Sequence, residues 1–341
     1  MERYFTYKNY LTRTYGNPVY RVGVDAGFSC PNRDKQRRGG CIYCDAYGST
    51  AAYQRTRESA TAGLSAVREL KDPCVPVAWE KRLEHITAQV DRGITFLARR
   101  YRASRFMLYL QAFSNTYAPM DELQALYRHA LSLHPFCGFI ISTRPDCVDP
   151  EIARFISSFR NQVDEVWVEL GLQSAHDATL AFLNRRHTVY DVANASHLLR
   201  DEGIRMTFHV MLGLPGEGEK ERAQTEEFIQ RIHPDGLKIH NLHIPLGTPL
   251  LEAYKSGEYA VPGTSTHVEH TAKMLSHIPG DVVIQRLVCD TPRHRLNVPR
   301  NFAAKGAFLI ELRRYLEYHD IWQGKSLGWA RDQVGKGRAG V

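Results

Sequence analysis

Three cysteines carry the strongest chemical signal in the chain. Cys30, Cys41 and Cys44 follow one another as C-x10-C-x2-C in a glycine-containing loop, Gly27-Phe-Ser-Cys-Pro-Asn-Arg-Asp through Gly39-Gly-Cys-Ile-Tyr-Cys44. A structural zinc ion asks for four ligands, and no fourth stands nearby. A redox pair of Cys41 and Cys44 would leave Cys30 without a task, and it lacks the helix start that activates a thioredoxin-type thiol. Three thiolates can hold a [4Fe–4S] cluster and leave its fourth iron open, an arrangement suited to binding and activating a ligand. Three ordinary buried thiols are hard to reconcile with this density. The other four cysteines, Cys74, Cys137, Cys147 and Cys289, are scattered and form no second C-x2-C.

Such a loop needs a rigid frame. Short apolar runs at Val19–Val24, Phe106–Leu110, Gly138–Ser142, Glu165–Leu170, Met206–Leu212 and Leu237–Leu242 predict buried strands, rich in Val, Ile, Leu and aromatics. Helical patterns lie between or after them at Val77–Tyr101, Asp121–Leu133, Pro150–Phe159, Val189–Glu202, Lys220–Ile232 and Phe302–Tyr318. This alternation predicts parallel βαβ units with right-handed crossovers, in a doubly wound sheet or a full or partial barrel. No G-x-G-x-x-G follows the first strand, which removes the usual dinucleotide fingerprint. In parallel α/β folds function gathers at the C-terminal strand ends, which is where the cysteine loop falls.

The 341 residues are 43% apolar and 24% charged, a globular composition. No apolar run reaches the ~18 residues of a membrane span. The start has no apolar stretch of the secretory kind, and seven cysteines are an odd number for a disulfide framework. A cytoplasmic protein without a membrane partner is the expectation. Secreted disulfide mini-proteins, membrane proteins and disordered chains are excluded. The net charge of +7 favours an anionic partner only weakly.

Beyond the cysteine loop, the sequence resembles the radical S-adenosylmethionine (radical SAM) superfamily. More narrowly it resembles the YhcC/YtqA-like group, related to the Elp3 and coproporphyrinogen dehydrogenase branches. The blocks that carry the resemblance are the cysteine loop, Gln111-Ala-Phe-Ser-Asn-Thr-Tyr-Ala-Pro119, Ser142-Thr-Arg-Pro-Asp146, Glu169-Leu-Gly-Leu-Gln-Ser174, Arg186-His-Thr188, Gly213-Leu-Pro-Gly216, Lys238-Ile-His240, Gly247-Thr248 and Trp322-Gln-Gly324. Lys35 departs from the group, which usually has Gly there. The resemblance implies an α/β fold, a partial (βα)6 TIM-like barrel with a C-terminal helical extension. Residues 1–289 would form the core with its lead-in, residues 290–330 would cap the open side, and residues 331–341 read as a flexible basic tail. The implied cofactors are a [4Fe–4S] cluster on Cys30, Cys41 and Cys44 and S-adenosylmethionine (SAM). One electron would cleave SAM to a 5′-deoxyadenosyl radical that abstracts a substrate hydrogen.

Further roles follow from strand-end position together with the resemblance. Tyr43 is placed to touch adenine. The Gly-Gly-Glu element that binds the SAM amino group in the wider family is absent, so Gln111, Ser114 and Asn115 offer oxygen acceptors in its place. Ser142 and Thr143 end strand three. Glu169 and Gln173 follow as ribose partners. Arg186 is the candidate for the SAM carboxylate, with Arg185 equally able to serve. Met211 and Gly213 would line adenine. His240 and His243 suit satisfied polar groups or one substrate contact better than a second metal.

Charge gathers in three segments. Residues 31–40 carry Arg33, Lys35, Arg37 and Arg38; Arg99–Arg105 holds four arginines; residues 293–314 hold six basic residues against Glu311. Such patches suit phosphate backbones, and a solvated basic face is the plainer reading. The resemblance implies tRNA: Elp3 relatives act on its wobble uridine, and the YtqA members resemble enzymes that trim the 5-carboxymethylaminomethyl group towards 5-aminomethyluridine. Arg33, Arg37, Arg38, Lys238 and His240 are the candidate substrate contacts. A one-electron donor such as flavodoxin or ferredoxin is implied. The alternatives are a radical SAM enzyme on a small metabolite or tetrapyrrole-like substrate, and a non-catalytic iron–sulfur or zinc module that binds RNA.

Overall fold

The computed structural model describes residues 2–33, 39–44, 51–54, 79–245, 247–289 and 298–336. In chain order the elements are α1 (Tyr7–Tyr15), β1 (Val19–Asp25), α2 (Trp79–Tyr101), β2 (Arg105–Gln111), α3 (Met120–Ser132), β3 (Gly138–Thr143), α4 (Pro150–Ser157), β4 (Glu165–Gln173), α5 (Asp177–Phe182), α6 (Val189–Asp201), β5 (Arg205–Leu212), α7 (Glu219–Ile232), β6 (Gly236–Asn241), α8 (Pro249–Lys255), α9 (Thr264–Ser276), β7 (Val283–Arg286) and α10 (Lys305–Tyr318). All strand pairs are parallel and the order is β1-β2-β3-β4-β5-β6-β7, a curled half-barrel. The expected α/β partial barrel is thus the observed fold, with one strand more. β7 has only four residues, too few to make a pattern in the sequence.

Both faces of the sheet are covered, which is why the strands read as apolar throughout. Outward residues such as Val22, Leu108, Ile141, Val168 and Phe208 pack against helical Val90, Leu126 and Leu199. The inner face near the N-terminal strand ends holds Met107, Tyr109, Ile140 and Trp167, and α1 plugs it with Tyr7, Tyr10, Leu11 and Tyr15. Tyr10 donates to buried Glu165, which also accepts from Trp167 Nε1 at 3.2 Å.

Of the C-terminal segment, Val298 pairs with Ile244 just beyond β6, on the side of Tyr43 and Met211, and the later residues run elsewhere. α10 buries Phe308, Leu312 and Leu316 against the outer helical layer beside α9, rather than crossing the open side. Beyond it, Gln323 is fully buried and ties three backbone groups, accepting from Phe5 N and donating to the carbonyls of Pro279 and Val282. Gly335 N bonds to Gly280 O at 2.8 Å. This part of the chain therefore clamps α1's end of the barrel, and the start of the expected tail is held. A buried amide satisfying three main-chain groups explains Trp322-Gln-Gly324 as a structural motif.

Candidate active site

The cysteine loop leaves β1 and is tied to its surroundings by main-chain bonds. Ser114 N reaches Ser29 O at 3.1 Å, Ile42 N reaches Leu183 O at 3.1 Å, and Leu250 N reaches Ile42 O at 3.1 Å. Gly40 adopts φ 101°, a backbone shape that glycine alone takes readily. Cys30 and Cys41 are buried and Cys44 is half-buried. Arg33 lies 4.7 Å over the Phe113 ring at the loop's edge. Arg37 and Arg38 fall outside the described residues, as does Cys74.

The guanidinium at the cysteines belongs to Arg185. Its Nη1 lies 3.5 Å from Cys41 Sγ and 3.4 Å from Tyr43 Oη, its Nη2 donates to Gly171 O at 2.8 Å, and its Nε donates to His187 at 3.1 Å. Arg186, the sequence candidate, is exposed and donates to Asn184 instead. Both residues precede Thr188, whose hydroxyl and Asp191 form the capping box that starts α6 and fixes this turn. Burial pushes the Cys41 thiol up, but Arg185, Arg144 and the Asn32 amide outweigh it and hold the thiol below its ordinary value. Burial, Arg185 and Arg144 push His187 down to about 3, so its ring is neutral and accepts. Arg144 was not singled out from the sequence. Its side chain is almost wholly buried, paired with Asp146 at 2.8 Å and bonded to Arg185 O at 2.6 Å. An arginine just after an apolar strand was the available signal.

The β2 and β3 ends interlock. Ser114 Oγ bonds Thr143 Oγ1 at 2.9 Å, and Thr143 bonds Thr116 at 2.6 Å, so these hydroxyls serve each other. Asn115 Nδ2 donates to Ser142 O at 2.8 Å and staples the two loops. Ser142 itself is half-buried. Four buried polar atoms of this edge have no hydrogen-bond partner: Asn32 Oδ1, Gln111 Oε1, Asn115 Oδ1 and Arg144 Nη1. Three are acceptors and one is a cationic donor, which is the complement of an amino acid's ammonium and carboxylate. Three thiols, a guanidinium at one of them and this donor set fit the cluster and SAM. Gln173 is half-buried with φ 67°, Met211 is buried, and Gly213 has φ 84° with Pro262 Cγ 2.7 Å from where a Cβ would stand.

Glu169 and Lys238 sit deeper, inside the barrel. Lys238 Nζ donates to both Glu169 oxygens at 2.5 Å and lies 3.1 Å from Tyr109 Oη. Tyr109 Oη donates to Glu169 at 2.5 Å, His209 Nε2 is 2.9 Å from it, and Arg21 is 3.7 Å away. Burial pushes the Glu169 carboxyl up, but Lys238, His209 and Arg21 hold it well below the carboxylate range. Both oxygens are engaged within the barrel, in a buried ion pair. Lys238, wholly buried, is the partner of Glu169. His240, at the end of β6, is half-buried. Of the basic segments, Arg33 lies at the cysteines. Arg99 to Arg105 runs from the end of α2 into the start of β2, at the opposite end of the barrel. Arg313 and Arg314 are exposed on α10.

Comparison with known proteins agrees with this geometry. The radical SAM superfamily model matches residues 30–229, and the radical SAM C-terminal domain model matches residues 234–318. Protein YhcC of Escherichia coli K12 is 32% identical over 319 residues, covering 93% of each chain. Human Elongator complex protein 3 is 29% identical over 269 residues, covering 74% of this chain and 48% of that protein. The solved Elp3 of the archaeon Methanocaldococcus infernus superposes with a TM-score of 0.61 at 20% identity, covering 71% of this chain and 60% of that one. Among the described residues no helix is long and apolar enough to cross a membrane.

Proposed function

Because the chain belongs to the radical SAM superfamily, we propose that this enzyme remodels the wobble uridine of tRNA, converting a 5-carboxymethylaminomethyl substituent towards 5-aminomethyluridine. Members of the family use a [4Fe–4S] cluster and SAM, which together supply a 5′-deoxyadenosyl radical. In this reading Cys30, Cys41 and Cys44 are the thiolate ligands, and Arg185 keeps Cys41 ready to ligate. Gln111 and Asn115 accept from the SAM ammonium, Arg144 receives its carboxylate, and Gly213 lets the backbone approach the adenine closely. Tyr43 and Met211 flank the same end of the barrel. Gln173 is the remaining candidate for ribose. The Glu169–Lys238 layer and the α1 plug seal the far end of the barrel against water, which a reactive radical requires.

The observation that carries the substrate class is the likeness to Elongator complex protein 3 across most of the chain. Arg33 stacked on Phe113 beside the cysteines supports it, as a cation and a ring at the mouth suit a phosphate and a base. A one-electron donor of the flavodoxin or ferredoxin kind completes the reaction. The test is incubation of reconstituted protein with SAM, dithionite and hypomodified tRNA, followed by nucleoside mass spectrometry. The expected result is loss of 5-carboxymethylaminomethyluridine and gain of 5-aminomethyluridine. No change in any wobble nucleoside would overturn the assignment.

A further inference from the structure

The barrel interior holds an unbalanced charge on its β6–β7 side. Among the described residues three cations, Arg21, Lys238 and Arg286, share one carboxylate there, Glu169. Glu169 is already taken by Lys238, Tyr109 and His209, with Arg21 beyond. Arg286 pairs in register with Lys238 at the end of β7 and so shares the inner face. Among the described residues no carboxylate lies within ion-pair distance of it; its side-chain neighbour is the Cys289 thiol. Two residues above Lys238, His240 holds its Nδ1 2.6 Å from Cys289 Sγ, while its buried Nε2 has no partner. Asn241 Oδ1 accepts from Cys289 N at 2.8 Å and fixes that neighbourhood.

We infer that Arg286 and His240 together receive a carboxylate of the substrate inside the barrel. A buried guanidinium that no carboxylate among the described residues pairs directly is costly, and an anion delivered by the substrate lowers that cost. The planar fork of arginine suits a carboxylate. In the tautomer in which the Cys289 S–H donates to Nδ1, the ring proton sits on Nε2 and is free to serve the same anion as a second donor. Phosphates of a nucleic acid stay outside such an interior, so the group that reaches it is the substituent on one base. The choice of that substituent rests on the proposed wobble-uridine reaction: the 5-carboxymethylaminomethyl group ends in a carboxylate, and the 5-aminomethyl product ends in an ammonium. Arg286 attracts the first and repels the second, so the same residue selects substrate and expels product.

The test is calorimetric binding to the reconstituted holoenzyme with SAM present. The probes are 5-carboxymethylaminomethyluridine and 5-aminomethyluridine as free nucleosides. The wild-type protein is expected to prefer the carboxylate form by about 10- to 100-fold, the range of one or two charge-assisted hydrogen bonds. Arg286→Gln is expected to abolish the preference, Arg286→Lys to keep part of it, and His240→Gln to reduce it. Thermal melts identify any variant that fails to fold; the wild-type preference and Arg286→Lys then decide. Equal or undetectable binding of both nucleosides by the wild type, or a full preference in folded Arg286→Gln, overturns the inference. A wild-type preference without any tRNA conversion removes the reaction and leaves the carboxylate site. Conversion of tRNA with kcat/KM unchanged in Arg286→Gln does the reverse.

Discussion

Replacing Lys238 by Met should turn a pH-tolerant interior into a pH-sensitive one. Lys238 is wholly buried and bonds both Glu169 oxygens at 2.5 Å. Methionine matches its apolar stem in volume, so the main loss is the ammonium. Removing one partner of a buried pair costs about 3–5 kcal/mol. Part of this is recoverable, because His209 Nε2 already lies 2.9 Å from Glu169. In the wild type, burial and then the Lys238 charge push His209 down to about 4, so it stays neutral. Without Lys238 one depressing charge is gone and Glu169 draws a proton onto the ring. The folded-state pKa of His209 then rises from about 4, and the stability that protonation adds relative to the wild type is present at low pH and lost as pH rises through the raised value. Urea denaturation of the metal-free variant at pH 8 should show the full loss. Below the raised value the loss should shrink, by at most roughly 1.4 kcal/mol for each pKa unit of that rise, so it should be smaller at pH 6 than at pH 8. A loss below about 1 kcal/mol at pH 8, against the 3–5 kcal/mol of a broken buried pair, would refute the ion pair. A loss equal at both pH values would refute the role of His209.

Two further substitutions probe the cofactor edge. Arg185→Met removes the guanidinium 3.5 Å from Cys41, so alkylation of that thiol by iodoacetamide in metal-free protein should shift to higher pH; an unchanged pH profile would deny the contact. Gly213→Ala places a Cβ 2.7 Å from Pro262 Cγ at φ 84°, and should lower stability by about 1–3 kcal/mol and weaken SAM binding, measured by thermal melts and equilibrium dialysis.

The frame was legible because its strands are buried on both faces and its helices are amphipathic. β7 escaped because four residues make no period, and α1 because its tyrosines mix with charge. The cysteine loop was legible from spacing alone. Arg185 and Arg186 were not separable in the sequence, since only the turn before Thr188 decides which one faces Cys41. Glu169 fitted a strand-end ligand, but its barrel neighbours Lys238, Tyr109 and His209 come from three other strands, a convergence that no local pattern contains. The C-terminal extension reads as a cap; Val298 lies beside Ile244 at the open side, whereas Gln323 is buried at the opposite end, a split that no local pattern shows.

If a radical made at Cys30, Cys41 and Cys44 acts on tRNA, tRNA must raise the rate at which it is formed. The direct measurement is 5′-deoxyadenosine formed from SAM by reconstituted protein under dithionite, with and without hypomodified tRNA. Production is expected to rise with tRNA and to vanish in Cys41→Ala. No 5′-deoxyadenosine, or a rate indifferent to tRNA, would contradict this expectation.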